Sequence, residues 1–136
     1  MRKIFLLITL SLAFISCGKS GDVVPNVSVN IQIALTDPRV SALNVAGGSA
    51  FIGGGVAGII LYRETDGSYA AYDRCSSYQP QNHCAVTLDA SGFTVTDPCS
   101  GSKFSLADGT PVKAPATRSL KSYTINVSNF EIFVSN

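Results

Sequence analysis

The sequence predicts a small all-β domain, an antiparallel sandwich or barrel. Three observations carry that expectation. Apolar and polar residues alternate with a period of two from Val27 onward. Turn signals recur at short intervals, at Asp66-Gly67, Asp89-Ala90-Ser91-Gly92 and Asp108-Gly109. No window offers three turns of helical apolar spacing with a cap. Short strands divided by such turns close on themselves or stack as two layers.

The elements follow in order. Val27, Val29, Ile31, Ile33 and Leu35 share one parity, and Ser28, Asn30, Gln32 and Ala34 the other, so a first strand buries one face. Asp37-Pro38 ends it. Gly53-Gly54-Gly55-Val56-Ala57-Gly58 matches G-x-G-x-x-G, but a dinucleotide loop must open a helix, and residues 59–62 (IILY) read as strand. The glycines are therefore expected to form a hairpin connection. Residues 58–63 and 68–72 flank Asp66-Gly67 as a hairpin, and residues 85–88 and 93–95 flank the next turn. Residues 120–127 and 130–134 close the chain as a hairpin around Ser128-Asn129.

The N-terminus is expected to lie outside the fold. Arg2 and Lys3 precede an apolar run over residues 4–15, too short to span a bilayer and suited to a signal-peptide core. Phe14-Ile15-Ser16-Cys17 resembles a bacterial lipobox, in which the Cys is lipidated after cleavage. The expected organisation is a signal peptide over 1–16, a lipidated tether over 17–26 beginning at Cys17, and a β domain over 27–136. Such a protein sits in the bacterial cell envelope, held to the membrane and facing the periplasm or the outside. The remaining 120 residues suit one domain, with eight basic against nine acidic residues. The sequence shows no basic run that would point to nucleic acid. Cys75, Cys84 and Cys99 remain in an oxidising compartment, so at most one internal bridge forms and one thiol is left over.

Four pieces then occur in a specific order: Tyr72-Asp73-Arg74-Cys75; Asp97-Pro98-Cys99-Ser100-Gly101-Ser102-Lys103-Phe104; Asp108-Gly109; and Ala114-Pro115-Ala116-Thr117-Arg118-Ser119-Leu120. Over most of the mature chain this resembles a Rieske domain. There a C-x-H loop and a C-x-x-H loop sit on two hairpins, and a Pro-containing loop covers the site. The resemblance implies a Rieske-like all-β fold with two loop-bearing hairpins. It implies a [2Fe–2S] site whose irons take two Cys and two His. The corresponding positions here are Cys75, Ser77, Asp97 and Ser100, so one ligand type of the four is retained. Hydroxyls and a carboxylate are poor substitutes for imidazole and soft thiolate. The resemblance also implies that Cys84 and Cys99 form the loop-stapling disulfide of some family members, with Pro98, Gly101 and Pro115 in the covering loops.

The residues leave rivals open. Cys75, His83, Cys84 and Cys99 offer a zinc-like donor set. Cys75 could pair with either other Cys. A serine triad would have to use His83, the one histidine, and Asp73, Asp89 and Asp97 sit where turns or strand ends place an Asp, so catalysis is not expected. The expected function is that of a lipid-anchored binding or structural module without a cofactor. Its partners would be the membrane through the lipid and a protein or small molecule at the loop tip, not nucleic acid. The alternative is an electron carrier with an atypically ligated [2Fe–2S] cluster. A third class, a stress or redox sensor using Cys75 or a labile bridge, requires a thiol that alkylates readily.

Overall fold

The computed structural model describes residues 23–136. The expected signal peptide, Cys17 and most of the expected tether fall outside the described residues. Ten strands form three antiparallel sheets. The first sheet joins β1 (Asn30–Ala34), β10 (Glu131–Ser135) and β9 (Thr124–Ser128) in that order. The second joins β2 (Ser49–Ile52), β3 (Ile59–Arg63) and β4 (Tyr69–Asp73). The third joins β5 (Thr87–Leu88), β6 (Thr94–Thr96), β7 (Lys103–Ser105) and β8 (Pro111–Lys113). The all-β architecture and its hairpins are those the sequence predicts. No helix among the described residues is long and apolar enough to cross a membrane.

β3 explains its own continuous apolar run. Ile59 and Leu61 point into one core, with Val29, Ile33, Leu43 and Ile132. Ile60 and Tyr62 point into a second, with Val86, Val95, Phe104 and Leu106. A strand buried on both faces loses the polar alternation that a half-buried strand keeps. Each of its fully buried aliphatic side chains contributes about 1.5–3 kcal/mol through burial. β3 and β4 thus divide a base, built on the first sheet, from a lobe built on the third.

Local differences from the sequence reading have local causes. The first strand begins at Asn30 rather than Val27, yet the inward parity holds at Val29 and Ile33. A 3-10 helix over Pro38–Asn44 follows it, with Pro38 in its first turn and the Asp37 carboxylate accepting the Arg39 N–H at 2.9 Å. It buries Val40 and Leu43, three residues apart on one face. β2 was not expected, because four residues beside a glycine run give too little alternation to read. The final turn lies at Asn129-Phe130, one residue later than expected, with φ of 52° and 63°. Two left-handed residues in a two-residue loop match the twist of the strands, and Asn tolerates that conformation. Phe130, expected at the head of a strand, is instead the most exposed large apolar residue of the described chain.

Candidate functional site

Three loops meet at one end of the lobe. Loop 1 covers residues 74–86 between β4 and β5, loop 2 covers residues 97–102 between β6 and β7, and the Pro loop covers residues 114–119 after β8. The Cys84–Cys99 disulfide joins loops 1 and 2, with Cα atoms 6.2 Å apart, a normal span for a bridge. Cys75 is the free cysteine and is buried. The pairing left open by the residues alone is thus the one the resemblance implies.

Each of the four ligand positions has another task. The Cys75 thiol lies 3.5 Å from the Pro80 carbonyl oxygen and 3.7 Å from that of Ser76. Burial pushes this thiol up to about 11, helped by the nearby negative charges of Asp73 and Asp97. Pro80 is buried at the start of a short 3-10 turn, Pro80–Asn82, between left-handed Gln79 and His83. Loop 1 thus places backbone against the Cys75 thiol. The Ser77 hydroxyl donates to the Arg118 carbonyl at 2.6 Å, tying loop 1 to the Pro loop. The buried Asp97 carboxylate accepts the Cys99 N–H at 2.8 Å and the Ser100 hydroxyl at 2.6 Å. Ser102 Oγ lies 2.9 Å from Ser100 Oγ and accepts the Ala116 N–H at 3.0 Å, which ties loop 2 to the Pro loop. Gly101 turns loop 2 at φ 77°, its N–H donating to the Asp97 carbonyl at 2.8 Å. Pro98 and Pro115 are exposed, the latter after a cis peptide bond.

A [2Fe–2S] cluster does not fit these residues. One soft thiol is present, and it faces a carbonyl. The carboxylate and both hydroxyls that replace the other ligands are engaged in hydrogen bonds between and within the loops. The rearranged metal set also fails. Cys84 and Cys99 are bonded to each other, Cys75 turns to Pro80, and His83 is exposed on the 3-10 turn. Donor atoms of Cys84, Asp97 and Cys99 do lie within 4.8 Å of one another. Two of them are disulfide sulfurs, which are not thiolates, and the third is an already hydrogen-bonded carboxylate.

The sequence reading missed a polar centre just beneath loop 1. Asp73 is fully buried, and its carboxylate accepts the N–H groups of Val56 at 2.7 Å, Ala57 at 3.2 Å and Cys75 at 2.8 Å, and the Tyr123 hydroxyl at 2.7 Å. Gly55 makes this possible, because a Cβ there would collide with the Asp73 carboxylate and sit 2.7 Å from the Tyr123 hydroxyl oxygen. Burial, then the bond to Asp73, push the Tyr123 phenol far above its ordinary value. The glycine run is thus a backbone cradle for a carboxylate of the protein itself.

Two cavities flank the Ser77–Arg118 contact. One of about 330 Å³ is lined by Val23, Val24, Asn26, Ser77, Arg118, Ser119 and Lys121. The other, about 230 Å³, lies among Ser77, Tyr78, Gln79, Pro115, Thr117 and Arg118. Residues 23–26, which the sequence reading placed in the tether, lie against the domain. Val24 is buried, and the Lys121 ammonium donates to the Pro25 carbonyl at 3.2 Å and to Asn26 Oδ1 at 2.6 Å.

No family model and no curated protein matches the chain. Solved structures do. The cyanobacterial plasma membrane Rieske protein PetC3 from Synechocystis PCC 6803 superposes with a TM-score of 0.56 at 20% identity, over 82% of this chain and all of that one. A chain from the complex of reduced oxygenase and oxidized ferredoxin in carbazole 1,9a-dioxygenase gives 0.53 at 20% identity, over 79% of this chain and 93% of that one. The ferredoxin of carbazole 1,9a-dioxygenase from Nocardioides aromaticivorans IC177 gives 0.50 at 18% identity, over 81% and 98% of the two chains. Identity at this level speaks to fold. With two loop-bearing hairpins, a disulfide between their loops and a Pro loop beside them, this chain has a Rieske-like fold.

Proposed function

We propose that this protein is a lipid-anchored Rieske-like domain that works without an iron–sulfur cluster, as a binding or structural module that presents its loop end to a partner. One observation carries the reading. The positions of the absent ligands are hydrogen-bonding positions, Ser77 to Arg118 between loops and Asp97 to Cys99 and Ser100 within loop 2, and beside them Ser102 ties loop 2 to the Pro loop at Ala116. A disulfide and these hydrogen bonds stand in for the cross-linking that a cluster would supply. The loop geometry is therefore kept while the redox chemistry has no ligands. The buried Cys75 thiol, pushed up to about 11, speaks against a redox sensor, because the reactive thiolate is scarce at neutral pH. The ferredoxin fold relative is seen in a complex with an oxygenase, which supports a domain of this shape serving as a docking unit.

The test separates metal from disulfide as the source of loop stability. Dialysis of the mature protein against strong chelators is expected to leave its melting temperature unchanged. Reduction of the Cys84–Cys99 bridge, which closes a separation of 15 residues, is expected to remove about 3 kcal/mol. A melting temperature that falls on chelation returns the protein to metal-dependent function, electron transfer included.

A further inference from the structure

We propose that the loop end is a docking surface for an anionic bilayer, and that the anchor holds it facing the membrane. This rests on the lipid-anchored reading above and names the partner of the loop end. The chain enters the domain beside the loops, since Val23, Val24 and Asn26 share one cavity with Ser77, Arg118, Ser119 and Lys121. Six residues on, Cys17 would carry the lipid, and a chain of that length reaches at most about 20 Å when fully extended. The loop end is therefore kept close to the headgroups. The turns at Gly67 and at Asn129-Phe130 lie at the far ends of their strands.

Charge points the same way. Lys113 and Arg118 are exposed at the loop end, and the Lys121 ammonium is held by the neutral oxygens of Pro25 and Asn26. Residues 74–86 and 109–130 contain no Asp or Glu. The acids of the loop end, Asp73 and Asp97, are buried and turned to hydrogen bonds within the protein. Asp37, Glu64, Asp66 and Glu131 lie at the opposite strand ends or in their turns, Asp108 lies in the turn between β7 and β8, and the Asp89 carboxylate, which reaches Thr96 and Lys103 beside loop 2, is paired there with the Lys103 ammonium at 3.0 Å. Of the cations at that end, Arg39 is paired with Asp37, and the Arg63 guanidinium bonds to the carbonyls of Leu43 and Asn44. A nearly neutral chain is thus folded into a domain that gathers Lys113, Arg118 and Lys121 at the loop end and Asp37, Glu64, Asp66 and Glu131 at the other. Total charge hides this, and the distribution shows it. A tether of that reach brings the cations within a Debye length of an anionic surface when the domain tips onto it.

The experiment uses the full mature protein with its lipid, anchored to vesicles rich in phosphatidylglycerol or made of phosphatidylcholine alone. Backbone amide exchange of residues 76–83 and 113–121 is expected to slow on the anionic vesicles, with residues 64–68 and 128–131 unchanged. Lys113→Gln with Arg118→Gln removes that protection. The same pair weakens partition of the unlipidated Cys17→Ser chain onto anionic vesicles by about 25-fold, fivefold for each cation. Equal exchange at both ends, or on both vesicles, overturns the docking surface, as does a partition indifferent to phosphatidylglycerol. An intact mass showing Cys17 without lipid overturns the anchor and the orientation it enforces, and is distinguishable because the Cys17→Ser partition reads the charged surface alone.

Discussion

Replacing Asp73 by Asn should destabilise the fold by about 3–5 kcal/mol, although the side chain keeps its size and polarity. The carboxylate offers roughly four lone-pair positions, and all are used: by Val56, Ala57 and Cys75 N–H groups and by the Tyr123 hydroxyl, at 2.7–3.2 Å. An amide keeps one acceptor oxygen and turns one N–H against a backbone N–H, which can only donate, while the Tyr123 hydroxyl must rotate to accept the other. Two charge-assisted bonds are lost at about 1.5–3 kcal/mol each, and buried donors are left unmet. Nothing can shift to relieve this on the Gly55 side, where even a methyl group would collide. The assay is urea unfolding of the oxidised protein, read as a change of midpoint at constant slope. With a slope of about 2 kcal/mol per molar, the midpoint falls by about 2 M. Asp66→Asn is the control, since Asp66 is exposed in a turn and accepts from its neighbour Ser68. A loss below about 1 kcal/mol for Asp73→Asn, or one equal to that of Asp66→Asn, would refute the view that this carboxylate organises the floor of the loops.

Other outcomes follow from the same geometry. Iodoacetamide should modify Cys75 slowly in the native state and rapidly in denaturant, with a native rate that rises with pH toward about 11, where the buried thiol ionises; fast modification at neutral pH would contradict its burial. Cys84→Ala with Cys99→Ala should lower stability by about 3 kcal/mol and leave Cys75 the sole thiol of the described residues, counted by mass after alkylation. Burial works to raise the Asp89 carboxyl, but hydrogen bonds from Thr94, Thr96 and Lys103 outweigh it and leave it below its ordinary value. Its contribution is therefore fully present above the unfolded carboxylate range and lost as pH falls through the depressed folded value. Asp89→Asn should flatten the acid limb of the stability–pH curve, and an unchanged limb would show that these bonds do not favour the charged form.

The parts of this molecule written locally in the sequence are the parts that sequence reading recovers. Asp66-Gly67 makes its hairpin because a turn is a four-residue event. Loop 2 is legible because Asp97, Cys99, Ser100, Gly101 and Ser102 bond to one another within five residues. The Asp73 centre is not legible, because Val56 and Tyr123 lie 17 and 50 residues away and nothing near Asp73 announces them. Its one sequence trace is the glycine run, which resembles a phosphate-binding loop for the same physical reason: a backbone free of side chains can approach a negative oxygen closely. Pro80 could not be placed against Cys75 either, since the four residues between them specify no path. The charge polarity is a property of the folded topology, which gathers Lys113, Arg118 and Lys121 at one end while total charge stays near zero.

The central claim is that the loop framework stands without its cluster. The most direct measurement is the iron and acid-labile sulfide content of the mature protein, purified anaerobically without reconstitution, together with its visible absorption spectrum. The account predicts a colourless, folded protein with no stoichiometric iron and with Cys84 and Cys99 oxidised to each other. Two irons and two sulfides per chain with broad visible bands would contradict it, and would make Cys75 and Asp97 ligands rather than partners of Pro80 and Cys99.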